Sequence, residues 1–208
     1  MSEAEGLERG LAALGLALRA GELERFGRYL DLLEKWNRVY NLTAIRSRER
    51  MVTHHLLDSA AILPHVKGPR VLDVGSGAGL PGIPLAIANA ELQVTLLDAN
   101  HKKTAFLRQA VAELGLANAA VASERVESWR TSARFETIVS RAFSELGEFV
   151  AATSRLLAPG GIIAAMKGVY PGDELERMPG GFQVMNVVRL TVPGLDAERH
   201  LVIVAPTQ

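Results

Sequence analysis

Apolar positions in the first third of the chain recur every three or four residues, the period of a helix that buries one face. Leu7, Leu11, Leu14 and Leu18 form one series, broken at Gly21. Leu23, Phe26, Leu30, Leu33, Trp36 and Tyr40 form a longer one, and Asn41-Leu42-Thr43 reads as its exit into a loop. A third helical stretch spans 51–63 and is stopped by Pro64 and Gly68-Pro69. Residues 1–68 therefore predict a helical cap.

From Arg70 the rhythm changes to short apolar runs alternating with helical segments, the pattern of a mostly parallel sheet covered by helices. Strands are expected at 70–74, 93–97, 119–122, 136–140 and 162–166. The helices between them are expected at 81–90, with Pro81 in the first turn, at 101–114, briefly after the third strand, and at 145–157 with Ser144 as N-cap. Residues 182–190 and 199–205 read as two more strands joined through Pro193-Gly194, close enough in sequence to pair antiparallel. Residues 69–208 thus predict a Rossmann-like α/β domain whose seven-stranded, mostly parallel sheet ends in an antiparallel strand.

The first strand runs into R-V-L-D-V-G-S-G-A-G-L-P-G, residues 70–82. Glycines at 75, 77 and 79 let the backbone turn sharply and come close to a ligand. The following helix would offer free N–H groups and the positive end of its dipole. Asp73 adds a fixed negative charge, which repels a pyrophosphate and attracts a cation. The spacing also differs from the G-x-G-x-x-G of dinucleotide sites. An acid two residues ahead of G-x-G-x-G is the pattern of class I methyltransferases, whose S-adenosylmethionine carries a sulfonium and an ammonium but no phosphate. A nicotinamide cofactor and a ligand-free turn are the other readings of the motif. Asp98, at the end of the second strand and about 20 residues past the glycines, is placed to accept from ribose hydroxyls. Glu127, after the third strand, is a candidate partner for an adenine amino group.

Lysine plus arginine and aspartate plus glutamate each number 23 in 208 residues, so no global field draws this protein onto nucleic acid. Any attraction is local. Lys35, Arg38, Arg46, Arg48 and Arg50 stand against the single acid Glu49, with Trp36 and Tyr40 interleaved. Cations and rings around a loop suit unpaired RNA, whose bases stack and whose phosphates pair with arginine. A solvated helix face with two core aromatics is the alternative. The absence of cysteine excludes disulfides, zinc–thiolate sites and thiolate nucleophiles, and suits a reducing cytoplasm. The acidic, mixed start is unlike a signal peptide, and no apolar run reaches membrane-spanning length. A cytoplasmic protein is expected, without membrane contact.

Without cysteine, methylation of a pyrimidine C5 through a covalent adduct is closed. After the fourth strand, where methyltransferases of base amines carry an N-P-P-Y-like turn, this chain has Ser140-Arg141-Ala142-Phe143. An acceptor that is already nucleophilic, such as a purine ring nitrogen, needs no general base, and positioning alone supplies roughly 7–11 kcal/mol. Arg141 would hold cofactor or substrate. His54-His55 and Asp58 suggest a metal, but adjacent histidines point to different helix faces and no third ligand is suitably spaced. An orienting role without metal is expected. Lys167, Arg199 and His200 are candidate phosphate contacts.

Five blocks occur in order: Trp36-Asn37-x-x-x-Asn41-Leu42-Thr43, His54-x-x-x-Asp58-Ser59, D-V-G-S-G-A-G-L-P-G-I-P-L from Asp73, Val139-Ser140-Arg141-Ala142-Phe143, and Leu190 with Glu198-Arg199-His200. Together they resemble the RsmG family, also called GidB, from about Leu23 onward. The resemblance implies an enzyme that uses S-adenosylmethionine to methylate N7 of a guanine in 16S ribosomal RNA near the decoding region. It implies that Gly75, Leu80, Val126, Glu127 and Arg141 line the cofactor site, with Asp98, Ala99 and Asn100 beside the adenosine. Asp73, Gly77 and Gly79 complete the expected cofactor set. Lys35, Asn37, Arg38, Arg46, Arg48 and Arg199 are the expected RNA contacts, and Asn41, His54, Asp58, Arg141 and Lys167 the expected positioning groups. The partner would be 16S rRNA or the small ribosomal subunit, bound by a monomer. A methyltransferase of a small-molecule or protein acceptor, with the helical cap as lid, is the alternative.

Overall fold

The computed structural model describes residues 3–207 except Ala142 and Ser144, so the N-cap expected at Ser144 lies outside the described residues. Helices α1 (Glu3–Ala13) and α2 (Glu22–Tyr40) follow the two leucine series. Helix α3 (Arg48–Met51) starts earlier than the periodicity suggested, because the Ser47 hydroxyl accepts from the Arg50 N–H. It passes through a π-helical turn (Val52–Leu57) into α4 (Asp58–Ala60), and a 3-10 turn (Leu63–His65) ends the cap.

Strand β1 (Arg70–Val74), helix α5 (Gly82–Ala88), strand β2 (Gln93–Leu97), helix α6 (His101–Glu113) and strand β3 (Ala119–Ala122) come close to their expected bounds. Pro81 sits just outside α5 as its cap. The short helix expected after β3 is only a turn, in which the amides of Ser128 and Trp129 both donate to the Arg125 carbonyl. Strand β4 (Phe135–Ser140) is followed by α7 (Leu146–Thr153), shorter than expected because a 3-10 turn (Ser154–Leu156) tightens its end. Strand β5 (Leu157–Lys167) begins five residues early: Leu157 pairs with Phe135, and an irregularity absorbs Pro159-Gly160-Gly161 before Ile162 meets Thr137. A short helix not foreseen, α8 (Gly172–Leu175), precedes β6 (Phe182–Arg189) and β7 (His200–Pro206).

The sheet order is β3-β2-β1-β4-β5-β7-β6, with β7 antiparallel to both neighbours. The cap, α5 and α6 bury one face; α7, with Leu175 and Met178, covers the other. Leu7, Phe26 and Leu30 of the cap belong to the same hydrophobic cluster as Val71, Leu96 and Leu107, so packing crosses residue 68 without interruption.

The link that matters for the site is Tyr29. Its ring is fully buried against Phe106, at 6.5 Å between centroids, and its hydroxyl donates to the Ala78 carbonyl at 2.6 Å. One cap helix is thereby fastened to the glycine loop. Tyr29→Phe leaves that buried carbonyl without its donor, and urea unfolding should show a loss of about 1–2 kcal/mol. An unchanged unfolding midpoint would mean that the bond carries no stability.

Candidate active site

Strands β1, β2, β4 and β5 all point their carboxyl ends to one edge, where α/β folds bind ligands. Antiparallel β7 begins at that edge, with His200 opposite Lys167. Topology thus gathers Gly75, Asp98, Arg141, Lys167 and Arg199 from remote parts of the sequence.

On the β1–β2 side the glycine loop is pinned from beneath. The amides of Gly75 and Ser76 donate to the Leu97 carbonyl, and the Gly77 amide donates to Asp98 Oδ2 at 2.9 Å. Asp98 Oδ1 accepts from the Asn100 amide at 2.8 Å, and Asn100 in turn caps α6. Asp98 therefore ties the loop to the exposed Ala99–Asn100 turn. The three glycines have left-handed φ of 70°, 58° and 86°, but their surroundings differ. A Cβ at Gly75 would meet nothing within 4 Å, and one at Gly77 only the Gly75 carbonyl at 3.7 Å and Lys103 Nζ at 4.0 Å. At Gly79 it would fall 2.4 Å from Ile83, so that glycine serves packing. Leu80 is buried beside it.

Asp73 does not face open space as the motif suggested. It is wholly buried, and its Oδ2 accepts from Gly82 N–H at 3.0 Å, which uses a first-turn amide of α5 that the sequence reading left free for ligand. Its Oδ1 has no hydrogen-bond partner among the described residues. Burial raises its pKa to about 7, although the Gly82 hydrogen bond and the charge of Arg141 favour the carboxylate, while the Ser76 hydroxyl donates to the Asp73 backbone carbonyl. An open glycine cradle above a half-satisfied buried carboxylate fits a ligand that brings positive charge and no phosphate. Val126 is buried beyond β3 and Glu127 is exposed next to it.

On the β4–β5–β7 side a cavity of about 310 Å3 is lined by Ile45, His54, His55, Asp58, Arg141, Met166, Lys167, Gly168 and Arg199. Asp58 is its anchor. Arg199 Nε donates to Asp58 Oδ1 at 2.9 Å, and an Arg141 nitrogen lies 3.5 Å from Oδ2. Burial pushes the Asp58 pKa up, and the two arginines offset part of that shift. Both histidines reach this cavity, contrary to the expectation that they diverge, because a π turn is wider than an α turn. His55, absent from the expected site, is its buried wedge. The Thr43 hydroxyl accepts from the Ile45 amide and lies 2.8 Å from His55 Nε2. His55 Nδ1 lies 3.0 Å from the His54 carbonyl, an oxygen that also accepts from Arg141, and the Arg141 nitrogens are 3.4 and 3.5 Å from Nδ1 itself. Burial, with the charge of Arg141, lowers the His55 pKa to about 4, so the ring is neutral. Burial and the charge of Arg50 lower that of His54 as well. Among the described residues no group of three His, Cys, Asp or Glu side chains could hold a metal.

Other expected contacts have internal duties. Asn37 is buried: its Oδ1 accepts from the Thr43 amide and its Nδ2 donates to the Ile45 carbonyl, so it shapes the loop after α2. Arg46 donates to the Asn37 carbonyl and to Asn41 Oδ1. Arg48 is paired with Asp31 and Glu34 of α2. Lys35 lines a separate cleft of about 170 Å3 with Arg28, Asp31 and Glu113. Arg38 and Arg50 are exposed. Lys167 is paired with Glu174 at 2.7 Å, and His200 is buried with Nδ1 toward the Gly168 carbonyl, so it props a loop. Trp36 packs on Phe106 and on Tyr40, which remains exposed. Within the basic stretch Arg46 and Arg48 are thus engaged inside the protein, while Lys35, Arg38 and Arg50 are exposed.

The sheet order and the glycine cradle over β1 define a class I S-adenosylmethionine-dependent methyltransferase fold. Solved structures agree. A glycopeptide N-methyltransferase, MtfA, complexed with S-adenosyl-L-methionine aligns over 74% of this chain and 88% of its own, with TM-score 0.62 and 15% identity. TrmN from Thermus thermophilus aligns over 75% and 53%, with TM-score 0.56 and 20% identity. The family model for rRNA small subunit methyltransferase G (GidB) matches residues 22–202. Ribosomal RNA small subunit methyltransferase G of Laribacter hongkongensis is 57% identical over 97% of this chain and 98% of its own length. That of Chromobacterium violaceum is 58% identical over 94% of each. The chain belongs to the rRNA small subunit methyltransferase G family.

Two outcomes follow from this geometry. Gly77→Ala enters open space at a left-handed position, costing about 1–2 kcal/mol of stability, but blocks the cradle and should abolish S-adenosylmethionine binding in calorimetry. Gly79→Ala collides with Ile83 and should lower the melting temperature more; the reverse ranking would move the cofactor elsewhere. Asp73 also sets a pH dependence. Between its ordinary 3.8 and about 7 the folded state holds a proton that the unfolded chain has released, so its contribution falls as pH rises through that window. His55 acts oppositely between about 4 and 6.5, because there the unfolded chain holds the extra proton. The difference between wild type and Asp73→Asn isolates the aspartate. Relative to wild type, the asparagine variant should gain stability steadily from pH 4 to 7, and a constant difference would contradict the assignment.

Proposed function

We propose that this chain methylates N7 of a guanine in 16S rRNA, near the decoding region, and works in the cytoplasm as a monomer. One observation supports the choice of atom: the cavity beside the cofactor cradle has no carboxylate free to act as a base. Asp58, its one carboxylate, is clamped between Arg199 and Arg141. Of the two histidines in its wall, His55 is enclosed by the Thr43 hydroxyl and the His54 carbonyl, and N7 of guanine, which presents a lone pair, needs no base from either.

S-adenosylmethionine supplies a methyl group already activated on a sulfonium. The chain has to hold the purine edge in line with it. Gly75, Gly77 and the Asp98–Asn100 turn hold the nucleoside end, and Val126 and Glu127 close it from the β3 side. Arg141 stands between the two halves: its charge reaches Asp73 under the cradle, and its guanidinium is fixed by the His54 carbonyl and Asp58. Such fixed donors suit O6 or a phosphate of the target nucleotide. Methylation leaves a positive charge on the base, and Asp58 and the carbonyls at the cavity wall favour it as it forms. Arg38, Arg50 and Arg199 are the arginines placed for flanking phosphates, while Arg46, Arg48, Asn37 and Asn41 build the loop behind them. No helix among the described residues is long and apolar enough to cross a membrane, which is consistent with an enzyme of the cytoplasm.

Transfer of labelled methyl groups onto rRNA from cells lacking the modification, mapped by primer extension, tests the reading directly. A label outside guanine, or none on RNA, overturns it. Arg50→Ala with Arg38→Ala should raise KM for RNA and flatten the slope of log affinity against log salt by about 0.7 per lost phosphate contact, with cofactor affinity unchanged.

A further inference from the structure

The cavity opens beside a short loop that neither the motifs nor the family resemblance singled out. Gly168 lines the cavity, and Val169 and Tyr170 follow it. Val169 is 73% and Tyr170 57% exposed, two of the five exposed large apolar residues among the described ones. Yet the loop is held firmly. Lys167 and Glu174 close its two ends through a 2.7 Å ion pair, and Glu174 also accepts from the Leu146 amide. Buried His200 is directed by Nδ1 at the Gly168 carbonyl and packs against the Tyr170 ring at 82° and 5.7 Å. Pro171 restricts the Tyr170 backbone, and the ring lies against Gly172.

An aromatic ring propped from the side, solvent-exposed and adjacent to a cavity with arginines in its wall, has the chemistry of a nucleobase platform. The need for one follows from the reaction. A guanine whose N7 meets the methyl donor within the cavity has left its stack, which exposes a face of the neighbouring base. We propose that Tyr170 stacks on the nucleotide next to the target guanine, with Val169 widening the apolar surface, so that this loop stabilises the unstacked RNA. The inference rests on the proposed RNA acceptor and adds a contact to it.

The test uses full-length wild type, Y170A, Y170F and Y170W with small-subunit rRNA from cells lacking the modification. Y170A should raise KM for naked RNA roughly 5- to 150-fold, the range of one base–aromatic stack, while its melting temperature and its S-adenosylmethionine Kd match wild type. Y170F and Y170W should restore most of the loss. A fragment carrying 2-aminopurine beside the mapped guanine should be quenched on binding wild type but much less on binding Y170A, a readout that a general loosening of the loop would not give. An active wild type with unchanged KM in Y170A overturns the stacking role and leaves the RNA reading intact. A KM defect confined to assembled subunits also overturns it, assigning the patch to a protein. A wild type that methylates no RNA removes both.

Discussion

The buried carboxylate of Asp58 ties the acceptor side together. It sits in the helical cap, takes a hydrogen bond from Arg199 across 141 residues of sequence, and has the end of β4 within reach through Arg141. Taking that carboxylate out of water costs several kcal/mol, and two arginines are needed to offset it. Neither arginine can be lost without leaving buried charge poorly compensated. The π turn before Asp58 belongs to the same constraint, because it brings His54, His55 and Asp58 to one wall. The cavity is thus a consequence of charge balance as much as of sheet topology.

The cofactor side is built on a different principle. Among the described residues backbone amides fix the geometry here, held by the Leu97 carbonyl and by Asp98, with Tyr29 pressing from the cap. Gly79 and Gly82 are packing glycines, since a Cβ at Gly82 would lie 2.3 Å from Leu96. Gly75 and Gly77 leave room above the peptide. A glycine-rich motif therefore contains two kinds of glycine, and only one kind leaves open space above the backbone.

What was legible in the sequence was whatever short-range pattern encodes. The glycine turn and its flanking strand, the alternation of strands and helices and the antiparallel last strand all read correctly. What was not legible depends on which partner a polar side chain finds once the chain has folded. Asn37 and Arg48 look like RNA contacts by type and spacing, yet one shapes a loop and the other pairs with Asp31 and Glu34. His55 could not be told from His54, because a π turn leaves no mark in a hydrophobic period. Lys35 counted toward a basic patch, but folding sets it beside Asp31 and Glu113. Tyr170 carries no motif; its meaning comes from His200, thirty residues later. The chemistry of the cofactor cradle is local, and the chemistry of acceptor recognition is not.

The strand order also bears on when the enzyme becomes competent. Strand β7 lies between β5 and β6, so β6 has no neighbour in the sheet until residues up to about 206 have been made. Arg199, the closer partner of Asp58, arrives with that strand. A nascent chain can complete its glycine cradle long before it can complete the acceptor cavity. The charge balance of that cavity therefore depends on the final strand, whereas the hydrogen bonds that pin the glycine loop come from Tyr29, Leu97 and Asp98, all in the first half of the sequence.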